Sequence, residues 1–135
     1  MQNLFIGKGN LAASPSLKRL QGENGDFEVA TMRVMFGRYG QNDSGDLEQV
    51  GGFWREVELY GNKARACAEL LRKGARVLVI GEEREFSARD DDGHEVTVFK
   101  VVANDVALQL TRVQSIVFQE SSKKGAAEPK EAAAH

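Results

Sequence analysis

Trp54 and Tyr60 stand six residues apart in FWREVELYG, residues 53–61, a run whose composition suits an extended strand. Alternate side chains of a strand point to opposite faces. One face then carries Phe53, Arg55, Val57 and Leu59, and the other carries Trp54, Glu56, Glu58 and Tyr60. The first set can line a core, with Arg55 as its odd member. The second set mixes aromatics with two carboxylates, which are not buried together unpaired. The only tryptophan and one of the two tyrosines therefore face water from a single strand. Rings fixed at one parity and turned outward form a stacking platform for a flat partner.

Other residue types that could do chemistry do not assemble. Asp90-Asp91-Asp92-Gly93-His94 invites a metal, but consecutive carboxylates cannot all reach one ion from a tight turn, and calcium-loop spacing is missing. Cys67 is the only cysteine, which excludes an intrachain disulfide and every multi-cysteine zinc pattern. GKGN at residues 7–10 lacks the Lys-Ser/Thr of a phosphate loop and precedes no helix. No Ser/His/Asp or paired-carboxylate arrangement stands out. The expectation is a protein that is not an enzyme, with no cofactor and no metal.

A chain of 135 residues is one domain's worth, with 41% hydrophobic and 28% charged residues, an ordinary globular composition. No apolar run is long enough to span a bilayer, and MQNLFIGKGN lacks the basic and apolar regions of a signal peptide, so a cytoplasmic protein is expected. The formal net charge is −2, and residues 121–135 contribute three Lys against two Glu, so the remainder is acidic as well. A polyanionic partner must be met by a local patch or by contacts other than charge.

The elements that position the platform read as follows. Residues 3–12 form a first strand that bends towards a turn at Ser14-Pro15, and FEVATMRVMF (27–36) forms a second. GRYGQNDSGDLEQVGG (37–52) reads as a long Gly-rich loop. The third strand is the aromatic one. Asn62 is placed to cap a helix over 63–73, with Gly74 at its end and Ala64, Cys67, Leu70 and Leu71 as its buried stripe. ARVLVIGEEREFSAR (75–89), the DDDGH turn and EVTVFKVVAN (95–104) complete a hairpin of strands four and five. An additional strand is open over 113–120, and a flexible tail is expected over 121–135. The order matches an all-β, five-stranded OB-fold barrel over residues 1–112, with one short helix between strands three and four.

Several blocks in order resemble the bacterial single-stranded DNA-binding proteins: NLFIGKGNLAASPSLK, FEVATMRV, FWREVELYGNKARACAELLRKGARVLVIGEE and DDDGHEVTVFKVVANDVALQL. The resemblance covers about residues 3–110 and rests on spaced blocks. It implies that Trp54 and Tyr60 stack on nucleobases, which present flat faces to any ring and are bound without reading sequence. On strand four, Arg84, Phe86 and Ala88 share a side; the family commonly has basic residues at the first two and an aromatic at the third, so the ring is shifted by two residues. Arg84 and Arg33 become phosphate-contacting candidates, and Tyr39 nears another family stacking position.

Two departures stand out. Glu56 and Glu58 place negative charge between the rings, where the family tends to be basic or neutral. AEPKEAAAH lacks the acidic tip and terminal Pro-Phe that recruit replication and repair enzymes, which leaves that recruitment route without support. The resemblance implies single-stranded DNA as partner, a role in replication, recombination, repair or DNA transfer, and a homo-oligomer, tetrameric in the family, with a dimer also open. A reading from another class stays open: an OB-fold assembly module of a replication or transfer complex, whose aromatic face meets protein.

Overall fold

The computed structural model describes residues 3–120, apart from the side chains of residues 38–40, 49 and 50. Six strands and one helix follow in chain order: β1 (Asn3–Leu11), β2 (Ser16–Gly22), β3 (Gly25–Gln41), β4 (Leu47–Tyr60), α1 (Asn62–Leu70), β5 (Arg76–Arg89) and β6 (Glu95–Leu108). The sheet runs β1-β5-β6-β4-β3-β2 and closes through a β1–β3 pairing at Asn10 and Leu11. The expected first strand is thus interrupted at residues 12–15. Its first half pairs with β5 and its second half with β3, as one bent strand serving both sides of a barrel. Pro15 has no N–H to give a ladder, and it sits in this break. Counted that way, the chain forms the expected five-stranded OB barrel, with the helix between its third and fourth strands.

Alternation builds the core. Val34 of β3, Val57 of β4, Val77 and Val79 of β5 and Val101 of β6 are fully buried. β4 and β6 run parallel over Glu56–Leu59 and Lys100–Ala103, and every other pairing is antiparallel. α1 plugs the barrel with Ala64 and Cys67. Burial pushes the Cys67 thiol up to about 11.

Three expectations about the connections need correction. Residues 37–52 are not an open loop: β3 and β4 continue as a hairpin arm to a turn at 42–46, where Asn42 Oδ1 accepts hydrogen bonds from the Ser44 and Asp46 amides at 2.9 and 3.0 Å. The arm is held by backbone pairing from Gly37–Gly52 to Gln41–Leu47, and near its tip the Asn42 side-chain amide donates to Glu48 Oε1 at 3.5 Å. Gly52 permits this pairing. Its φ is 130°, and a Cβ there would stand 2.5 Å from the Gly37 Cα across the pair. At α1, Gly61 occupies the N-cap with φ 100° and makes no side-chain cap, so Asn62 is the first helical residue. The helix ends at Leu70, which is exposed, so it does not belong to the buried stripe; Gly74 lies in the following turn.

At the other hairpin, Asp90 Oδ1 accepts from the Asp92 and His94 amides at 3.0 and 2.8 Å, which makes DDDGH the expected turn. β6 runs four residues further than expected, and residues 109–120 form no strand within the chain. The expected tail, 121–135, lies outside the described residues. Among the described residues no helix is long and apolar enough to cross a membrane.

Candidate nucleic-acid interface

β3, β4, β6 and β5 lie side by side, and their outward side chains form one surface. On β4, Val57 and Leu59 are buried, while Trp54 and Tyr60 are 43% and 44% exposed. Phe86 on β5 is 44% exposed. Each ring thus keeps close to half its surface open; Trp54 and Tyr60 stand on a strand that turns Val57 and Leu59 into the core, whereas Phe86 stands on the outer part of β5, where residues 84–89 are exposed on both faces.

Strand register fixes where the rings stand. Arg84 pairs with Lys100, Lys100 with Glu56, and Glu56 with Arg33, which makes one lateral row across four strands. With neighbouring strands about 4.8 Å apart, the row spans roughly 14 Å. Phe86 lies two residues beyond Arg84 and Trp54 two before Glu56. Because β5 and β4 run in opposite directions, both rings fall on the same side of the row. Tyr60 lies four residues past Glu56, on the other side and about 13 Å from it. The platform is therefore a broad surface with a charged band through its middle.

The charges on that band are largely engaged with one another. The Arg33 guanidinium lies over the Trp54 ring, 4.9 Å from its centroid, and so adds a cation to the stacking face. Arg84 donates two hydrogen bonds to Glu82 Oε1, at 2.9 and 3.1 Å. Glu58 accepts a hydrogen bond from the Tyr60 hydroxyl at 3.1 Å and meets Lys100 Nζ at 3.5 Å. Partial burial, followed by the Glu58 charge and hydrogen bond, raises the Tyr60 phenol above its ordinary 10.0, with Arg84 opposing.

Tyr39 takes its place in β3 opposite Gln49, but its side chain lies outside the described residues. The other five expected residues share the outer surface. The core-facing side of β4 differs from expectation at Phe53, which is half-exposed because the barrel opens at that end. There Arg55 lies between the Phe53 and Phe99 rings, at 4.5 and 4.9 Å, and donates to Glu83 at 2.7 Å. This explains the odd charged member of that face.

A model of the single-strand binding protein family matches residues 1–109. The chain belongs to the single-strand binding protein family. A single-stranded DNA-binding protein of Xylella fastidiosa is 26% identical over 106 residues, which are 78% of this chain and 62% of the relative. This chain therefore spans less than two thirds of that relative's length. A solved structure of a small single-stranded DNA-binding protein from Streptomyces coelicolor superposes with a TM-score of 0.70 at 18% identity, covering 83% of this chain and 98% of the other. The Plasmodium falciparum SSB complex with ssDNA gives a TM-score of 0.63 at 20% identity, covering 81% and 96%. The likeness to these two structures is one of fold.

Two further residues that sequence reasoning missed stand on the same outer surface of this single-strand binding protein family member. Lys100 sits at the centre of the platform, and its Nζ is 5.4 Å from the Phe86 ring centroid. Phe27 lies 5.9 Å from Tyr60 and widens the platform at that end. Parity was the available signal for both: Lys100 precedes buried Val101, and Phe27 has the same parity as Arg33 on β3.

Proposed function

We propose that this chain binds single-stranded DNA without reading its sequence and without catalysis, by laying unpaired bases on Trp54, Tyr60 and Phe86. One observation carries the reading: three rings on one outer surface of the sheet are left about half open. Each ring contributes about 1–3 kcal/mol per stacked base. Phe27 and Lys100 extend the surface, and Arg33 and Arg84 stand near the phosphates. The β3–β4 arm, with Tyr39 near its base, closes over the strand. The relatives, which are single-stranded DNA-binding proteins, support the reading, as does the bound ssDNA of the Plasmodium falciparum neighbour.

The working particle is a homo-oligomer in the cytoplasm, serving replication, recombination, repair or DNA transfer. Residues 3–9 of β1 pair on one side only, with β5, and carry exposed Leu4 and Ile6. An apolar open edge of this kind suits a second copy. Several platforms on one particle raise affinity that an acidic subunit lacks.

Titration with oligo-dT tests the function. Binding quenches Trp54 fluorescence, and Trp54→Ala lowers affinity by about 1–3 kcal/mol while the domain stays folded. Unchanged fluorescence and no mobility shift with any single strand would instead favour an assembly module that meets protein.

A further inference from the structure

A second surface lies away from the rings. The end of α1, the following turn, the start of β5, the end of β6 and residues 111–115 border a groove of about 600 Å³. Its lining includes Arg72, Lys73, Arg76 and Arg112 and contains no carboxylate. In a chain of net charge −2, that is a local reversal of sign. The pairing pattern sharpens it. Arg19, Arg55, Lys63, Arg65, Arg84 and Lys100 all meet carboxylates, whereas the four groove cations, like the scattered Lys8, Lys18, Arg33 and Arg89, are in no ion pair among the described residues; only in the groove do four of them gather. Arg76, half-buried, is instead held in place by a 2.9 Å hydrogen bond to Asn10 Oδ1.

The backbone supplies an independent observation. Arg112 has φ 60°, the only positive φ outside glycine among the described residues. It stands in a turn closed by a hydrogen bond from the Val113 amide to the Leu110 carbonyl at 3.4 Å, which carries residues 112–115 along the groove wall.

The chemistry selects phosphate. No aromatic ring lines the groove, so it cannot hold bases by stacking; Leu70, Leu71, Leu108 and Val113 offer only apolar wall. The platform has the opposite makeup: rings in plenty, but Arg84 committed to Glu82, Lys100 beside Glu58, and Arg33 lying on Trp54. Arg76 and Phe86 are ten residues apart on β5, about 33 Å along the strand.

We propose that this groove holds the phosphates of the single strand after it leaves the platform, so that the backbone is gripped a second time beyond the rings. The inference rests on the platform binding DNA, and the experiment separates the two. The full-length chain carrying Arg72→Gln, Lys73→Gln and Arg112→Gln is compared with the wild type; Arg76 is kept because it is tied to Asn10. Both are titrated with oligo-dT of about 8 nucleotides, within the span of one OB fold, and with a strand several times longer. Thermal unfolding confirms that the variant folds. A Lys73→Gln single variant is the fallback if it does not.

The short strand should quench Trp54 equally in both proteins. On the long strand the variant should bind more weakly, and its slope of log affinity against log salt should be shallower by about 2, near 0.7 for each lost phosphate contact. For Lys73→Gln alone the expected change is about 0.7. An unchanged slope on the long strand overturns the groove while leaving the platform intact. Equal weakening on both lengths also overturns it, because the cations would then belong to the platform site. If the wild type fails to quench with the short strand, the platform reading itself falls. A poly-glutamate peptide that binds the wild type but not the variant, with long-strand affinity unaffected, would reassign the groove to an acidic protein partner.

Discussion

Glu58 accepts a hydrogen bond from the Tyr60 hydroxyl, two residues further along the same face of β4, at 3.1 Å. A carboxylate thus sits within the surface proposed to receive a polyanion, held there by a ring of that surface and by Lys100.

Glu58→Gln should tighten binding. The amide keeps an acceptor for Tyr60, removes a negative charge facing phosphate, and releases Lys100 to meet the strand. The expected gain is several-fold, about 0.5–1 kcal/mol on the scale of a partly exposed ion pair. Titration with oligo-dT at low salt measures it, and the advantage should shrink as salt rises. Weaker binding would mean that the carboxylate mainly orients Tyr60.

Trp54 and Phe86 stand on strands separated by β6, about 10 Å apart across the sheet. Substitutions at that distance without a shared partner are additive to within about 0.5 kcal/mol. Trp54→Ala and Phe86→Ala should each weaken oligo-dT binding by about 1–3 kcal/mol, and the double variant by their sum. Because Trp54 is the fluorophore, the cycle is read by a labelled oligonucleotide. A double variant no weaker than either single would show that one base bridges both rings.

Cys67 makes the fold sensitive to alkali. The folded thiol ionises at about 11, against an ordinary 9.0, because burial disfavours the thiolate. Below pH 9 neither state is ionised and the contribution is fully present. As pH rises from 9 towards 11 the unfolded thiol loses its proton first, so stability falls, by up to about 2–3 kcal/mol. Tyr60, also raised, acts in the same direction at higher pH. Urea denaturation of the wild type and Cys67→Ala across that range isolates the thiol: the wild-type curve should decline towards the variant's. A constant difference would place Cys67 in contact with water.

Arg55 and Glu83 offer a control on the other side of β4. Their side chains are 21% and 27% exposed, and Arg55 also fills the space between two phenylalanine rings. Arg55→Ala should cost about 1–3 kcal/mol of stability through lost packing and a stranded carboxylate. Oligo-dT affinity below the unfolding transition should be unchanged, and a matching loss of affinity would link this cluster to the interface.

Where a residue's role depends on parity, it could be read from sequence. Val57 and Leu59 turn inward and Trp54 and Tyr60 outward, as alternation alone requires. The order of elements followed from turn residues and apolar runs, as in DDDGH. What escaped was set by partners distant in sequence. Lys100 is an ordinary surface lysine until β6 lies beside β4 and brings it to Glu58 and Phe86. Arg33 looked free for phosphate but lies on Trp54, its neighbour across the β3–β4 pair. The arm over 37–52 carries little alternation because no core lies beneath it, so pattern reading mistook paired strands for a loop. Gly81 shows the same limit. The β5–β6 register shifts beside it, and a Cβ there would collide with the Val102 carbonyl, a crowding no local motif announces.

The parallel ladder between β4 and β6 is a seam of only four residue pairs, the shortest in the barrel after the two-pair β1–β3 closure. Glu56 and Lys100, at one end of that seam, also form the middle of the ring-bearing surface. If the seam gapes, the ring on β5 drifts away from those on β4, and a strand bridging them would act as a suture. Occupancy should therefore slow hydrogen exchange most at the amides of residues 56–59 and 100–103, making this short seam the place where ligand is felt first.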